Sequence, residues 1–439
     1  MGKRKKKQTE KINTDNGNRK KGLRVLPVFL ITLCLVLSFG LALILAVGFL
    51  TGEGASAGEE METAAIDKGE NGQETHFIWE TIPEEPKKEK EQKKETRYGD
   101  ILADETYMQE NNILAWESKE ADTVTIGFVG DILLDDEYAI MANLLRRGGR
   151  IEDGISETML TQLRTVDILV ANNEFPFTER GTPTEGKTYT FRAEPKASAY
   201  LHDMGVDVAV LANNHIYDFG ETGLLDTLET LSTAGIPHIG AGRNLKEASA
   251  PLYFIVNDMR IAVVAATQIE RLDNPDTRGA TEDSAGVFRC WNPEKLYEVI
   301  KVAKENSDFV IAYIHWGTEN ETDPDWAQLD QAPKIAEAGA DLIIGDHPHC
   351  LQGISYYGDT PVIYSLGNFW FNSKTVDTGM VQVTIGQNGL ESFRFLPAIQ
   401  SDCRVDLAYG EDKERILSFM RSLSPEVLID EEGYVRCPE

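Results

Sequence analysis

The feature that most restricts the fold is a unit that repeats from about residue 122 onward: an apolar run, a polar turn, then an amphipathic stretch. Short apolar runs bounded by turn residues read as buried strands, and the stretches between them carry helical spacing. The pattern predicts strands at Val124–Val129, Asp167–Ala171, Val206–Leu211, Ile236–Ile239, Leu252–Val256, Ile261–Ala265, Phe309–Tyr313, Leu342–Ile344 and Val362–Ser365. Helices are expected near Glu137–Arg146, Ser156–Arg164, Lys196–Met204, Thr222–Thr233, Pro293–Asn306, Trp326–Ala338 and Lys413–Leu423. Continuous apolar strands alternating with helices require a layered α/β domain with both sheet faces covered. Asn257-Asp258 marks a β-hairpin, and beyond Asn372 the pattern turns to strands (Met380–Ile385, Ser392–Pro397), so mixed sheets are expected.

What stands at the strand ends carries the chemistry. The runs close on Gly130-Asp131, Asn172-Asn173-Glu174, Asn213-Asn214-His215, His315-Trp316-Gly317 and Gly345-Asp346-His347-Pro348-His349. Ligands of α/β sheets bind beyond the carboxyl ends of the strands, which is where these side chains converge. The donor set is carboxylate, amide and imidazole without thiolate, which suits Zn, Mn, Fe or Mg. One histidine after a strand is ordinarily a satisfied polar residue, and one Asp there is often a helix cap. Four of the seven histidines at strand ends, interleaved with Asp, Glu and Asn, instead predict a metal or catalytic site. His76, His202 and His238 stay in the ordinary class.

The N-terminal quarter has a different texture. Residues 1–24 hold ten Lys or Arg against Glu10 and Asp15, and an uncharged run of 26 residues, Val25 to Leu50, follows directly. About 20 apolar residues span a bilayer. The expectation is a basic cytoplasmic tail (1–24), a transmembrane anchor (25–50) and an extracytoplasmic remainder, a single-pass protein of the cell membrane. Cleavage after Ala55-Ser56-Ala57 as a signal peptide is the rival, although a signal's apolar region is normally about 7–15 residues. Residues 51–121, rich in Gly, Glu, Gln and Lys, read as an acidic disordered linker. The folded domain is expected over 122–439.

Charge and cysteine content exclude several classes. With 72 acidic and 43 basic residues the chain carries −29, which argues against nucleic acid as a partner. Five cysteines without a CxxC pair exclude a disulfide scaffold. No GxxxxGK[ST] motif occurs, so ATP-dependent ligation would have to reside elsewhere.

The strand-end motifs, with Tyr364-Ser365-Leu366-Gly367-Asn368-Phe369 and Gly240-Ala241-Gly242, resemble the CapA family of capsule and poly-γ-glutamate synthesis proteins over about 122–373. That family is similar to calcineurin-like metallophosphoesterases, so the resemblance implies a four-layer α-β-β-α sandwich and a two-metal centre. The metallophosphoesterase pattern opens Asp-x-His, whereas this chain has Asp131-Ile132-Leu133. The resemblance implies one metal position with Glu174, Asn214, His315 and His347. A second, weakened by Leu133, keeps Asp131, Glu174 and His349. It further implies a catalytic His215 that faces substrate. The carboxylate that usually supports it is replaced by Phe177, with Asp218 as the substitute.

Lys187 and Arg192, in the loop after Glu174, would hold an anionic substrate or be ordinary loop charges. Two functions stand open. One is a metal-dependent hydrolase or transferase (Mn, Zn or Fe, one or two ions) acting on an anionic surface polymer. The other is a non-catalytic accessory subunit that binds the polymer or the membrane subunits of a capsule synthase, on a degenerate phosphoesterase fold.

Overall fold

Two mixed sheets carry the fold in the computed structural model, which describes residues 96–270 and 277–438. In chain order the strands are β1 (Ile113–Ala115), β2 (Thr123–Ile132), β3 (Ile168–Asn173), β4 (Val208–Val210), β5 (His238–Ile239), β6 (Ala241–Gly242), β7 (Leu252–Val256), β8 (Met259–Thr267) and β9 (Gly286–Val287). There follow β10 (Phe309–His315), β11 (Leu342–Asp346), β12 (Ile354–Tyr357), β13 (Thr360–Ile363), β14 (Asn368–Trp370), β15 (Val376–Gly386), β16 (Gly389–Ser401) and β17 (Arg404–Leu407). One sheet runs β17-β16-β15-β2-β3-β4-β5, with β14 also pairing β2; the other runs β1-β7-β8-β10-β11-β13-β12. Their centres are parallel (β2-β3-β4-β5 and β8-β10-β11-β13), and antiparallel strands complete them, as β15 does on β2.

Side chains alternate across each strand, and the alternation builds the layers. Ile126 and Phe128 of β2 and Val170 of β3 point at the other sheet, where they meet Val263, Ile311, Tyr313 and Ile344. On the far face of the first sheet Leu169 and Ala171 pack under helices Ala139–Arg147, Glu157–Thr165, Ser198–Met204 and Gly220–Ala234. Helices Glu294–Glu305 and Trp326–Ala338 cover the far face of the second sheet in the same way. The order is therefore helices, sheet, sheet, helices. Local signals set the helix ends: Ser156 accepts from the Met159 N–H, and Asp325 with Gln328 forms a capping box.

Two expectations change. Residues 96–116, expected as linker, fold onto the domain edge: β1 pairs in parallel with β7, from Ile113 against Tyr253 to Ala115 against Ile255. Trp116 packs edge-on against Phe254 and donates its indole N–H to the Asp167 carbonyl of the other sheet. A three-residue apolar strand in a polar stretch is too short to register in a composition window. The second correction is the transmembrane helix and the single-pass membrane location inferred from it. Among the described residues no helix is long and apolar enough to cross a membrane, and the run Val25 to Leu50 lies outside the described residues.

Candidate metal centre

The site sits where the parallel strands of both sheets end. β2 delivers Asp131, β3 leads into Glu174, the turn after β4 carries Asn214 and His215, β10 ends on His315, and β11 leads into His347 and His349. Gly130 is required at the approach: a Cβ there would lie 1.9 Å from the Gly367 carbonyl oxygen, the acceptor for the Asp131 N–H at 3.1 Å. His347 and His349 hold φ of 99° and 58°, a region that costs a non-glycine residue about 1–3 kcal/mol. Two strained histidines on either side of Pro348 persist only where the surrounding structure fixes them.

The ligand candidates are nearly all sealed from solvent. Asp131, Glu174 and His315 are fully buried, and His349 is the most open, its side chain 16 % exposed. Asp131 accepts from the Asn172 amide at 2.9 Å and lies 3.0 Å from His349 Nδ1. His315 Nδ1 is 2.8 Å from Asp346 Oδ1, which turns Nε2 inward. There Nε2 lies 2.7 Å from Asn214 Oδ1, 3.1 Å from His347 Nδ1 and 3.7 Å from Glu174 Oε1. Both Glu174 oxygens are buried without any hydrogen-bond partner.

This arrangement fits a divalent cation. Lone pairs of a carboxylate, an amide oxygen and two imidazoles converge on one point with too few protons to share. Donor atoms of Glu174, His315 and His347 all lie within 4.8 Å of one another, and so do those of Asp131, Glu174 and His349. Burial, then repulsion from Asp131, pushes Glu174 and Asp346 well above the usual carboxylate range. Burial would raise Asp131 too, but its hydrogen bond and charge pairing with His349 outweigh it and hold it low. His349 is raised by the same pairing despite its burial. Burial pushes His315 down to about 3 and His347 well below its ordinary value, so both rings are neutral, the form that coordinates.

The remaining expected residues divide. His215 and Asp218 meet, with Nδ1 2.7 Å from Asp218 Oδ2, while His215 Nε2 faces Glu174 Oε1 at 3.9 Å. Burial lowers His215 below its ordinary value, and the Asp218 charge only partly offsets that. Phe191 lies against its ring, 4.3 Å between centroids. Lys187 and Arg192, expected either to hold an anion or to be ordinary loop charges, both have partners within the chain. Lys187 Nζ is buried, paired with Asp218 Oδ1 at 2.6 Å and donating to the Asn214 carbonyl. The Arg192 guanidinium stacks on Phe219 at 4.7 Å, and its backbone N–H donates to Asp135. Leu133, in the position of the missing histidine, is buried in the helix-side core.

Sequence reasoning passed over four contributors. Asp346 holds His315, Asn172 holds Asp131, Asn368 Oδ1 lies 2.8 Å from His349 Nδ1, and Asn213 Oδ1 accepts from the His215 and Ile216 N–H groups. Each adjoins an expected ligand or lies in a motif already noticed, and that adjacency is the signal that could have found them.

Residues 125–373, more than half of the chain, match the family described as bacterial capsule synthesis protein PGA_cap. The chain belongs to this family. The PGA_cap match includes every candidate ligand from Asp131 to His349. Among similar proteins, the PGA biosynthesis protein CapA of Bacillus subtilis (strain 168) is 31 % identical, covering 63 % of this chain and 71 % of its own length. The capsule biosynthesis protein CapA of Bacillus anthracis is 29 % identical over 72 % of this chain and 77 % of its own. A probable polyglutamine synthesis accessory protein of Mycobacterium tuberculosis (strain CDC 1551 / Oshkosh) is 29 % identical over 52 % and 59 %.

Proposed function

We propose that this protein acts in capsule or poly-γ-glutamate biosynthesis through a divalent-metal centre of the metallophosphoesterase type, as a hydrolase or transferase on a surface polymer. The observation that carries the reading is Glu174: a fully buried carboxylate with both oxygens unpartnered, facing His315 Nε2 and sharing the space with Asp131. A charge buried in that state costs several kcal/mol, which is offset either by a cation or by taking up a proton.

Glu174, Asn214, His315 and His347 would hold the tighter ion. Asp131, Glu174 and His349 would hold a weaker one, because Leu133 offers no donor. When bound, such an ion supplies Lewis-acid polarisation and a nucleophilic water near neutral pH. The chain's own contribution lies in His215. Asp218 fixes its Nδ1, so Nε2 points into the centre and can take up or return a proton at the reacting group. Lys187 and the Phe191 N–H, 2.7 Å from Asp218 Oδ2, keep that carboxylate in place. With no nucleotide-binding signature in the sequence, the ligating synthase is a separate partner.

The test is metal content and turnover of the purified protein with Mn, Zn or Fe, assayed on phosphodiesters and on poly-γ-glutamate. Wild type should hold at least one ion, His315→Ala should lose it, and His215→Ala should keep the metal while losing turnover. A wild-type protein that takes up no divalent ion would end the proposal. Metal uptake without turnover on any polymer would favour the accessory reading, which the burial of Leu133 in the helix-side core supports.

A further inference from the structure

One buried carboxylate at the centre has no part in either expected ligand set. Asp346 is fully buried, ends β11, and sits directly across from His315 in the parallel ladder between β10 and β11. Its Oδ1 lies 2.8 Å from His315 Nδ1, and its Oδ2 accepts from the Tyr313 hydroxyl at 3.0 Å. Tyr313 lies two residues before His315 on the same strand, so its side chain leaves the same face of the sheet. Its hydroxyl also reaches the Val129 carbonyl of β2 at 3.2 Å, in the opposite sheet. The chain Val129–Tyr313–Asp346–His315 therefore crosses the space between the sheets and ends on a candidate ligand.

We infer that Asp346 is a positioning residue for the metal centre, with Tyr313 as its anchor: it holds the His315 ring so that Nε2, and not Nδ1, faces Glu174 and His347. The inference rests on the metal reading above and adds to it which residue sets the ligand's orientation. Its physics is direct. A neutral imidazole has one N–H and one lone pair, so whichever nitrogen donates outward decides which one is left to coordinate. A carboxylate on the outer nitrogen, ionised once a cation occupies the centre, fixes that choice and makes the inner one a stronger donor. Asp346 Oδ2 is occupied by Tyr313, which leaves Oδ1 for His315 alone. The competing arrangement uses the carboxylate itself as a ligand, because donor atoms of Asp131, His315 and Asp346 also lie within 4.8 Å of one another.

The two are separated by isothermal titration of the full chain with Zn and with Mn, alongside nitrogen-15 spectra of the histidine rings in the metal-free protein. Asp346→Asn preserves size and an acceptor oxygen but removes the charge. It should weaken metal binding about 10- to 100-fold with unchanged stoichiometry, while His315 shifts from a single Nδ1–H form to a mixture. Tyr313→Phe should weaken binding several-fold and shift the same resonances in the same direction, without altering any ligand. Asp346→Asn that binds with wild-type affinity, or that loses one equivalent of metal outright, overturns the inference. So does an unchanged His315 tautomer in both variants. A wild-type protein that binds no metal but shows the Nδ1–H tautomer, lost in Asp346→Asn, would sink the metal reading while leaving the orienting contact intact.

Discussion

Replacing Lys187 by Met tests whether that cation is structural or waits for a substrate. The side chains are 5 % and 0 % exposed for Lys187 and Asp218, and their charges are 2.6 Å apart. Met keeps the length of the stem and removes the charge, which leaves Asp218 as a buried carboxylate. Removing one partner of a buried pair costs about 3–5 kcal/mol. Asp218 keeps two further contacts, the Phe191 N–H and His215 Nδ1, both at 2.7 Å, so the lower end applies, about 3 kcal/mol. For a domain of this size that is a fall in Tm of about 4 °C. The assay is urea unfolding with Lys187→Met, Asp218→Asn and the double variant in a cycle. The double should recover at least half of the loss, because the orphaned charge has gone with its partner. Wild-type stability in Lys187→Met, or a double variant as unstable as the sum of the singles, would refute the reasoning. Polymer binding would then be the remaining role for Lys187.

Three other predictions follow from the structure. Glu174→Gln should raise the stability of the metal-free protein by about 1 kcal/mol, because it removes one of three crowded carboxylates, and should abolish any thermal shift on adding Zn or Mn. Gly130→Ala drives a Cβ into the Gly367 carbonyl and should cost at least about 3 kcal/mol by chemical denaturation, with loss of metal uptake. Burial pushes Asp207, at the start of the run into β4, up to about 6, although the Leu169 N–H at 2.8 Å opposes the shift. A raised folded pKa favours the protonated form. Its stabilising contribution is therefore complete below about pH 4 and lost as pH rises through 6, amounting to about 1–2 kcal/mol after discounting partial exposure. Asp207→Asn should flatten that part of the stability–pH curve, and an unchanged slope between pH 4 and 7 would count against the assignment.

The fold was legible where periodicity is strong and hidden where it is weak. β10 is expected at Phe309–Tyr313 and observed at Phe309–His315, because seven successive buried residues leave a continuous apolar run. The strand expected at Val206–Leu211 is only Val208–Val210, since the Val206 N–H turns back to close the preceding helix on the Leu201 carbonyl. β1 went unseen because its three residues stand in an acidic context and are fixed only by the edge of β7. The site was legible for a related reason: strand ends must carry whatever polar groups a buried centre needs, and those positions lie next to the easiest strands to find. The sequence did not carry contacts made between distant segments. Lys187 beside Asp218, 31 residues away, and Tyr313 beside the Val129 carbonyl of the opposite sheet, 184 residues away, are products of three-dimensional packing.

Those long-range contacts change the electrostatic argument about the ligand. The chain carries −29, and beyond a Debye length of about 8 Å its surface charge is screened, so a polyanion gains nothing from long-range steering. Attraction at the centre would have to come from short range. The two loop cations that could have supplied it are engaged, Lys187 with Asp218 and Arg192 against Phe219. Asp131, Glu174 and Asp346 meanwhile crowd the centre, and with Glu174 and Asp346 pushed towards their neutral forms the metal-free site offers an anion no net attraction. A bound cation would supply that attraction. The same burial that makes the cation necessary also restricts what reaches it. With His349 the most open of the candidate ligands, a chain end or side carboxylate protruding from a polymer would reach a cation there more readily than a polymer midsection. Metal affinity and polymer affinity should therefore rise and fall together, and a His315→Ala protein that keeps full polymer binding would separate them.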